Sequence, residues 1–586
     1  VIADAALNDV NSVVKWFKPE AALKLNILPV EGLSYRQTIG YSNYQTESHQ
    51  YKSMHHRENV INNISGSAYL GFAKTERINT EGYFSYDRMF DDAHKVNAVL
   101  GYSYNQYDGE SFGMSNSNFT VDGVKYWDIG KGSYLNAGKA TMNSSKEIRE
   151  KLLSYFARVN YSYKNRYMLS ATFRREGSSK FGPKNRWGNF WAVSGGWSIA
   201  NEPFMHGVRW VDDLKLRVGY GVTGNNDFSA AYSGNFIAAD ENRWILPNGT
   251  WKYTYGRGES VNENLGWESK AELNLGLDFS FFDGRLYGKA DVFRRKISSM
   301  LFYVQVPNPP FIRGYQWQNI GSLENKGWEF ELGGDIIRSK DFKWSSSVNL
   351  SHSASKVLSI DGSSTRWDGG QLPGPNSTGK AIILEEGSTV GQFYLFEFAG
   401  FSKSGQFLIK DRNGKTIPAS SKVANDKKLL GNFTPKMMYG WNHTFSYKDL
   451  DLGVSMHGWL GFDVYNTYAM CLGIARRNGE CNVLRDAYST FSHIKDEKLM
   501  SDYYLEEGSF LKIDAITLGY RLDISRWTKY VDYLRIYATC GNVATFTGYT
   551  GLDPEVNIIG YDGGVDDYTK AYPMTRTWTL GVQLKF

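Results

Sequence analysis

Residues 269–281 read SKAELNLGLDFSF, and the apolar side chains in this stretch fall at every second position. From Ala271 to Phe281 the odd-numbered residues are alanine, leucine or phenylalanine, whereas the even-numbered residues are polar or glycine. Successive side chains of a β-strand point to opposite faces of its sheet. The segment is therefore predicted to be a strand with one apolar face and one polar face.

The same alternation recurs from Ala21 to the last residues. It predicts 17 strands. Most are about 9–13 residues long, the length of tilted strands that cross a lipid bilayer. A change of phase at Ala515 and Ile516 predicts a bulge in one of them. The strands are predicted to begin near Ala21, Leu33, Asn79, Lys95, Leu152, Tyr167, Trp191, Leu214, Ser269, Arg285, Trp328, Phe342, Met437, Leu450, Leu511, Leu534 and Thr575.

The connections between these strands alternate between tight turns and long segments. Outer-membrane barrels have short turns on the periplasmic side and long loops outside, whereas a soluble β-sandwich has no reason to sort its loops in this way. The fold class is therefore predicted to be all-β, a transmembrane antiparallel β-barrel in the bacterial outer membrane, in contact with its lipid. The tight turns lie at 29–32, 91–93, 164–166, 282–284, 339–341 and 448–449, and the long connections at 44–78, 108–151, 224–268, 297–327, 353–436, 461–510 and 544–574.

Loop order also sets the direction of the strands. The last connection is long and therefore external, so the last strand runs down to the periplasm, and by counting back so does the strand from Ala21. We expect residues 1–20 to belong to an extracellular loop and residues 21–586 to form the C-terminal portion of the barrel with long extracellular loops. If the full barrel has about 22 strands, as plugged transporters do, about five strands precede Ala21.

Composition excludes several other classes. Aromatic residues make up 15% of the chain, and 60 of its 586 residues are glycine. This composition favours many short strands over helical cores. The net charge is only +5 and no basic tract stands out, so we predict no nucleic-acid partner. The motifs H-E-x-x-H, C-x-x-C and G-x-S-x-G are absent, so we predict neither an enzyme nor catalytic residues, and no cofactor.

Blocks of sequence from residue 173 to the end recur together, in order, in one known family. They are FRREGSSKFG at 173–182, NRWG at 185–188, LKLR at 214–217 with YGVTGNN at 220–226, ENKGWEFE at 324–331, SFLK at 509–512 with TLGY at 517–520, TGLDPE at 550–555, and YP at 572–573 with RTWTLG at 576–581. Through these blocks the chain resembles the SusC/RagA-type TonB-dependent transporters of Bacteroidetes.

That resemblance implies a 22-strand barrel with an N-terminal plug domain and a TonB box that couples to the TonB complex. It also implies a SusD-like surface lipoprotein partner that delivers a glycan or a peptide. The plug and the TonB box are not in this sequence. Many relatives carry an Asp/Asn-rich loop that resembles a calcium site, but here Ser421–Lys428 is poor in carboxylates, so we predict no metal.

Aromatic residues in the predicted external loops are the candidate substrate-binding residues. Aromatic faces can stack on sugar rings or hold extended chains, while nearby amides and carboxylates supply hydrogen bonds. The alternatives are packing between loops and contact with a partner lipoprotein. The candidates are Trp244, Trp251, Tyr253, Tyr255, Trp317 and Trp367.

Cys471 and Cys481 lie in one predicted external loop. Outside the cell they could form a disulfide that pins the loop, or remain two separate thiols.

Three functions follow from this sequence. The first is a SusC-like TonB-dependent importer of nutrient oligomers, glycan in preference to peptide. The second is an outer-membrane porin without energy coupling, which would share the alternation. The third is a secreted β-rich glycan-binding protein or glycosidase, in which the apolar faces would pack against one another.

Overall fold

The computed structural model describes residues 5–228, 238–256, 260–311, 314–360, 366–368, 372, 380–477, 482–524, 530–531, 533–560, 563–569 and 572–585. Within these ranges, the side chains of residues 147–149, 238–244, 253–256, 366–368 and 477 lie outside the description.

One antiparallel sheet dominates the described residues, and each of its strand segments pairs with the next along the chain, except the first, which pairs with the third. It contains eighteen strand segments. They are β1 (Asn8–Phe17), β2 (Glu20–Asn26), β3 (Leu33–Lys52), β4 (Ser67–Phe90), β5 (His94–Ser117), β6 (Thr141–Tyr163), β7 (Tyr167–Ser178), β8 (Trp187–Ser198), β9 (Val211–Asn225), β10 (Glu268–Phe281), β11 (Leu286–Ser298), β12 (Ser322–Arg338), β13 (Phe342–Ser359), β14 (Met437–Tyr447), β15 (Leu450–Leu460), β16 (Phe510–Asp523), β17 (Tyr533–Thr547) and β18 (Thr577–Lys585).

The first two segments are one interrupted strand. Phe17 pairs with Asn43 and Glu20 with Gly40, so β1 and β2 lie along the same edge of β3. Pro19 stands in the interruption, where its missing N–H cannot donate to the ladder. With these two counted as one, the described sheet has the 17 strands predicted. The expected loop over residues 1–20 is wrong for Asn8–Phe17, which is strand.

Four strands are far longer than predicted. β3, β4, β5 and β6 contain 20, 24, 24 and 23 residues. At about 3.3 Å per residue, 24 residues span about 80 Å, well beyond an apolar band about 25 Å tall. The predicted loops 44–78 and 108–151 shrink accordingly to residues 53–66 and 118–140. The upper parts of these four strands were not predicted, because strands that extend beyond the apolar band need no strict alternation.

The two faces of the sheet differ as the alternation predicts. On β10, Leu273 and Leu275 are 43% and 47% exposed, as expected of side chains that face lipid. On the opposite face, the guanidinium of Arg217 donates to both carboxylate oxygens of Asp278, at 2.8 Å each, and to Asp291 at 3.1 Å. The polar face is therefore held by ion pairs between neighbouring strands.

Short and long connections alternate along the sheet as predicted, except that 199–210, in the short set, is longer than 179–186, in the long set. Several tight turns use two successive residues with positive φ, among them Asp91–Asp92 (48° and 52°) and Lys164–Asn165 (49° and 54°), as in two-residue hairpin turns. The shorter connections are 27–32, 91–93, 164–166, 199–210, 282–285, 339–341, 448–449 and 524–532. The other set is 53–66, 118–140, 179–186, 226–267, 299–321, 360–436, 461–509 and 548–576.

The predicted bulge is present in β16. Ile513 pairs with Met456 and Ala515 with Ser455, so the ladder with β15 skips Asp514. The ladder between β16 and β17 skips Asp514 as well. The extra residue shifts the alternation by one position, which explains the phase change read from the sequence.

Smaller elements occupy the long connections. The paired strands are Ala238–Ile245 with Trp251–Gly256, Leu301–Gln305 with Tyr315–Asn319, and Arg366–Asp368 with Ile383–Glu385. A four-stranded sheet contains Gln392–Phe401, Phe407–Lys410, Thr416–Pro418 and Lys427–Asn432, and a three-stranded sheet contains Asp463–Asn466, Leu505–Glu507 and Val565–Asp566.

The helices are short, and among the described residues none has the length and apolar content needed to cross a membrane. The α-helices are α1 (Arg57–Ile61) and α2 (Thr467–Leu472). The 3₁₀ turns are Asp122–Val124, Ile129–Lys131, Ile199–Asn201, Pro203–Met205, Ala419–Ser421, Ala424–Asp426, Ala475–Arg477, Arg485–Tyr488 and Asp502–Tyr504.

Candidate functional site

Three long connections fold together into one compact unit, which we call the cap: the described residues of 360–436, 461–509 and 548–576. Tyr465 pairs with Leu505 and, in parallel, with Val565, which ties the second and third connections together. The backbone N–H of Phe396 donates to Met500, which ties the first to the second. The sequence predicted only long connections here, but they contain the largest buried cluster among the described residues.

Aromatic and aliphatic side chains build the core of the cap. Its fully buried members come from the first two of the three connections. They include Ile382, Phe393, Leu395, Phe407, Ile409, Phe433, Tyr465, Met470, Cys471 and Tyr504. Burial of this extent makes the cap a folded structure of its own on the external side of the sheet.

The pKa values of two carboxyl groups in the cap are shifted in opposite directions. The Glu397 carboxylate accepts hydrogen bonds from Lys410 and Lys428, each at 2.7 Å, and these partners lower its pKa below the ordinary value. Asp502 is half-buried, and burial raises the pKa of its carboxyl although it accepts a hydrogen bond from the Phe398 N–H at 2.6 Å. The cap therefore holds one carboxylate that favours its charged form and one that disfavours it.

A recess of about 450 Å³ opens on the inner face of β11–β15. Lys289 and Glu331, which are 2.9 Å apart, lie on its floor. Asn349 offers an amide, and the Trp459 ring packs against Phe510 with 5.3 Å between ring centroids. A polar oligomer can find both hydrogen-bond partners and an aromatic surface here.

His457 connects this recess to the cap. It lines the recess, and its Nδ1 lies 2.7 Å from the carboxylate of the bulge residue Asp514. Its Nε2 lies 3.3 Å from Glu555 of the cap. One side chain therefore lines the recess and contacts both the wall and the cap.

Lys512 reinforces the same junction. It is cross-strand neighbour to His457 and only 6% exposed. Its ammonium group donates to Asp553 and to Glu555, both of which belong to the cap. None of these residues was among the predicted site residues, and the only sequence signal was the phase change after Asp514.

The predicted aromatic residues fall on three separate hairpins. Trp244, Trp251, Tyr253 and Tyr255 share one hairpin, on which Trp251 pairs with Ile245 and is 59% exposed. The side chains of Trp244, Tyr253, Tyr255 and Trp367 lie outside the described residues. Trp367 pairs with Leu384 on a second hairpin.

Trp317 lies on the third hairpin and packs between other rings. Its centroid is 5.3 Å from that of Phe228 and 5.4 Å from that of Tyr303. It also borders the buried cluster of Phe181, Phe228 and Leu265. This placement supports the alternative that Trp317 packs loops together.

Two further predictions concern the cysteines and metal binding. Cys471 is fully buried on α2 in the cap, while Cys481 lies outside the described residues, so their disulfide stays a prediction. Among the residues that the structure covers, no group of three or more His, Cys, Asp or Glu side chains is arranged to hold a metal ion.

Known proteins are similar to this chain in sequence and in fold. The family described as "TonB dependent receptor-like, beta-barrel" matches residues 21–543. The chain is 29% identical over 595 aligned residues to TonB-dependent receptor P3 of Formosa agariphila, covering 95% of this chain and 57% of that protein. It is 33% identical over 452 residues to TonB-dependent receptor SusC of Bacteroides thetaiotaomicron, covering 75% of this chain and 44% of SusC. The chain thus spans about half the length of these curated relatives.

A solved structure agrees in fold. The RagAB peptide transporter superposes with a TM-score of 0.82 at 22% identity, over 99% of this chain and 63% of that one. At this identity the likeness concerns the fold alone. This likeness in fold and the family match over most of the sequence both agree with the alternating pattern of the strands and with the alternation of short and long connections. The chain belongs to the TonB-dependent receptor β-barrel family of the bacterial outer membrane, and within that family it is of the SusC/RagA type.

Proposed function

We propose that this chain supplies the wall and external cap of an importer that carries nutrient oligomers, glycan in preference to peptide, across the outer membrane. The complete protein would add a plug domain and a TonB box through which the TonB complex energises transport. A SusD-like surface lipoprotein would hold the oligomer against the external side. The chain would bind and move its substrate without making or breaking a bond in it.

The observation that carries this proposal is the position of His457. It lines a recess large enough for a few residues of an oligomer, and the same imidazole reaches Glu555 of the cap. Occupancy of the recess and the position of the cap connection therefore depend on a shared side chain. A plain pore needs no such junction, whereas an importer has to sense its cargo and rearrange around it.

The charge distribution supports transport of a polar cargo. The inner face carries ion pairs between neighbouring strands, such as Arg217–Asp278 and Lys289–Glu331. A hydrated oligomer can exchange hydrogen bonds along such a face. A bilayer-facing belt of leucine, valine and aromatic residues holds the wall in the membrane.

Purification of the full-length protein from native outer membranes tests the proposal. We expect a surface lipoprotein to co-purify in equal amount, and calorimetry to show binding of an oligosaccharide that mass spectrometry recovers unchanged. Deletion of the gene should abolish growth on that oligosaccharide as sole carbon source. Non-selective flux of small solutes through proteoliposomes, with no partner and no ligand, would favour a porin instead. Recovery of a shortened oligosaccharide would indicate an enzyme.

A further inference from the structure

Two exposed tyrosines stack against each other on the hairpin of Leu301–Gln305 and Tyr315–Asn319. The rings of Tyr303 and Tyr315 are 5.4 Å apart between centroids and tilted by only 19°. They are 46% and 48% exposed, although aromatic side chains usually bury most of their surface. We call this pair the tyrosine platform. It was not among the aromatic residues predicted to contact ligand.

A series of rings supports the platform from below. Phe181 is fully buried and lies 5.5 Å from Phe228, which lies 5.3 Å from Trp317. Trp317 in turn lies 5.4 Å from Tyr303. The series runs from a buried core to an exposed pair, so packing fixes the orientation of the exposed rings.

Hydrogen bonds fix the backbone of the same hairpin. The amide of Asn262 donates to the Trp317 carbonyl at 2.9 Å, and the amide of Gln316 donates to the Val261 carbonyl at 3.0 Å. Asn319 accepts from the N–H of Gly266 at 2.7 Å and donates to its carbonyl at 2.8 Å. A rigid aromatic surface loses little conformational entropy when a ligand binds to it.

The composition of the two strands of the hairpin favours one ligand class. Its two strands read LFYVQ and YQWQN and contain no charged residue, in a chain that is 22% charged. Peptides carry charged termini and side chains that call for counter-charges, whereas a neutral sugar offers apolar C–H faces and hydroxyl groups. Aromatic faces and amides match the second set of groups.

We propose that the tyrosine platform binds a ring of a neutral oligosaccharide by stacking, with the amide of Gln305, the cross-strand neighbour of Tyr315, as a hydrogen-bond partner. This inference rests on the proposed import function and narrows its substrate to uncharged glycans. Stacking needs the aromatic faces and not the phenolic hydroxyls, which gives the inference a direct signature.

The test compares variants of the full-length transporter, purified in detergent, by calorimetric titration. The probes are neutral hexasaccharides of glucose, mannose and galactose, a uronic-acid hexasaccharide and an uncharged decapeptide. The variants are Tyr303→Ala/Tyr315→Ala, the ring-preserving Tyr303→Phe/Tyr315→Phe, and Tyr488→Ala as a matched control. Tyr488 is a 59% exposed tyrosine of the cap. Heat-modifiable electrophoretic mobility confirms that each variant is folded.

We expect the double alanine variant to raise the Kd of the bound neutral hexasaccharide by about tenfold or more, as loss of a central aromatic contact does. The phenylalanine variant should stay within about twofold of the wild type, and Tyr488→Ala should have no effect. An unchanged Kd in the folded double alanine variant, with hexasaccharide binding intact in the wild type, overturns this inference alone. A wild-type protein that binds the decapeptide or the uronic-acid probe but no neutral glycan overturns it too. A wild-type protein that binds none of the probes and admits solutes non-selectively overturns the import function as well.

Discussion

The carboxylate of Asp514 lies 2.7 Å from Nδ1 of His457, and a bulge in β16 places it there. Below the bulge, the alternation of β16 puts Leu518 and Tyr520 on the outer face, where they are 51% and 46% exposed. Above it, Lys512 faces His457 on the inner face. Because of this one extra residue, Leu518 and Tyr520 can face lipid in the lower part of β16 while Lys512 faces inward in the upper part.

Deletion of Asp514 should prevent assembly of the wall. Without the extra residue, either the lower or the upper part of β16 must turn its side chains to the opposite face. We expect the deletion variant to lose heat-modifiable mobility in native membranes, whereas Asp514→Ala should keep it. A deletion variant that assembles like the wild type would show that the bulge is dispensable.

Lys512→Met should loosen the junction between wall and cap. The substitution removes a buried cation that Asp553 and Glu555 share; because these two carboxylates keep 25% and 34% of their side-chain surface exposed, we expect a cost of about 1 kcal/mol. We expect faster proteolysis within 548–576 at an unchanged overall fold. Lys15→Met, which removes an exposed ion pair with Glu47, is the control and should have little effect. Equal protease resistance of the two variants would contradict the role of Lys512.

Trp317 and Trp251 should respond differently to substitution by alanine. Trp317 packs against Phe228 and Tyr303, so its loss opens a cavity and should cost about 2–4 kcal/mol of stability. Trp251 is 59% exposed, and its loss should leave stability unchanged. Thermal unfolding in detergent measures both. If Trp251→Ala weakens ligand binding without loss of stability, the prediction that Trp251 contacts substrate gains support; if binding is unchanged, Trp251 is not a contact.

Acid should weaken the Glu397 ion pairs of the cap. Because Lys410 and Lys428 lower the pKa of Glu397 in the folded state, its contribution to stability is present above the ordinary carboxyl pKa of about 4.3 and is lost as the pH falls through the lowered value. Proteolysis of the cap by pepsin between pH 2 and 5 should show this loss in the wild type. Glu397→Gln should remove that part of the pH dependence, and a variant with the wild-type profile would contradict the assignment.

Cys471 and Cys481 should be joined in protein taken from the cell surface. A disulfide that closes so short a loop stabilises by about 2–3 kcal/mol in the chain-entropy account. Alkylation under denaturing conditions, followed by peptide mass spectrometry with and without reduction, should give one Cys471–Cys481 crosslink and an alkylated Cys540. Alkylation of all three cysteines before reduction would leave two separate thiols.

Strands within the membrane were predictable because lipid on one side and water on the other enforce alternation. Residues 269–281 show this rule throughout, and the structure pairs Ser269 with Gly224 and Phe281 with Val211 at the two ends of the strand. The upper halves of β3–β6 lie beyond that constraint. There the sequence of Ser67–Ile78 mixes apolar and charged residues without period, and strand pairing alone extends the sheet.

The cap and its junction were beyond sequence reasoning for a different reason. Phe393, Tyr465 and Tyr504 are far apart in the chain, and only the folded sheet brings their connections together. The His457–Glu555 contact spans 98 positions, so no local pattern indicates it. By contrast, Asp514 left a trace, because a bulge changes the phase of the strand that contains it.

Energy-dependent uptake tests the central claim most directly. Cells that produce the full-length protein are given a fluorescent neutral oligosaccharide, and its uptake is measured with and without a protonophore and in a strain that lacks TonB. The account predicts saturable uptake that collapses in both conditions and in cells without the gene. Uptake that is non-saturable and unaffected by the protonophore and by loss of TonB would contradict it.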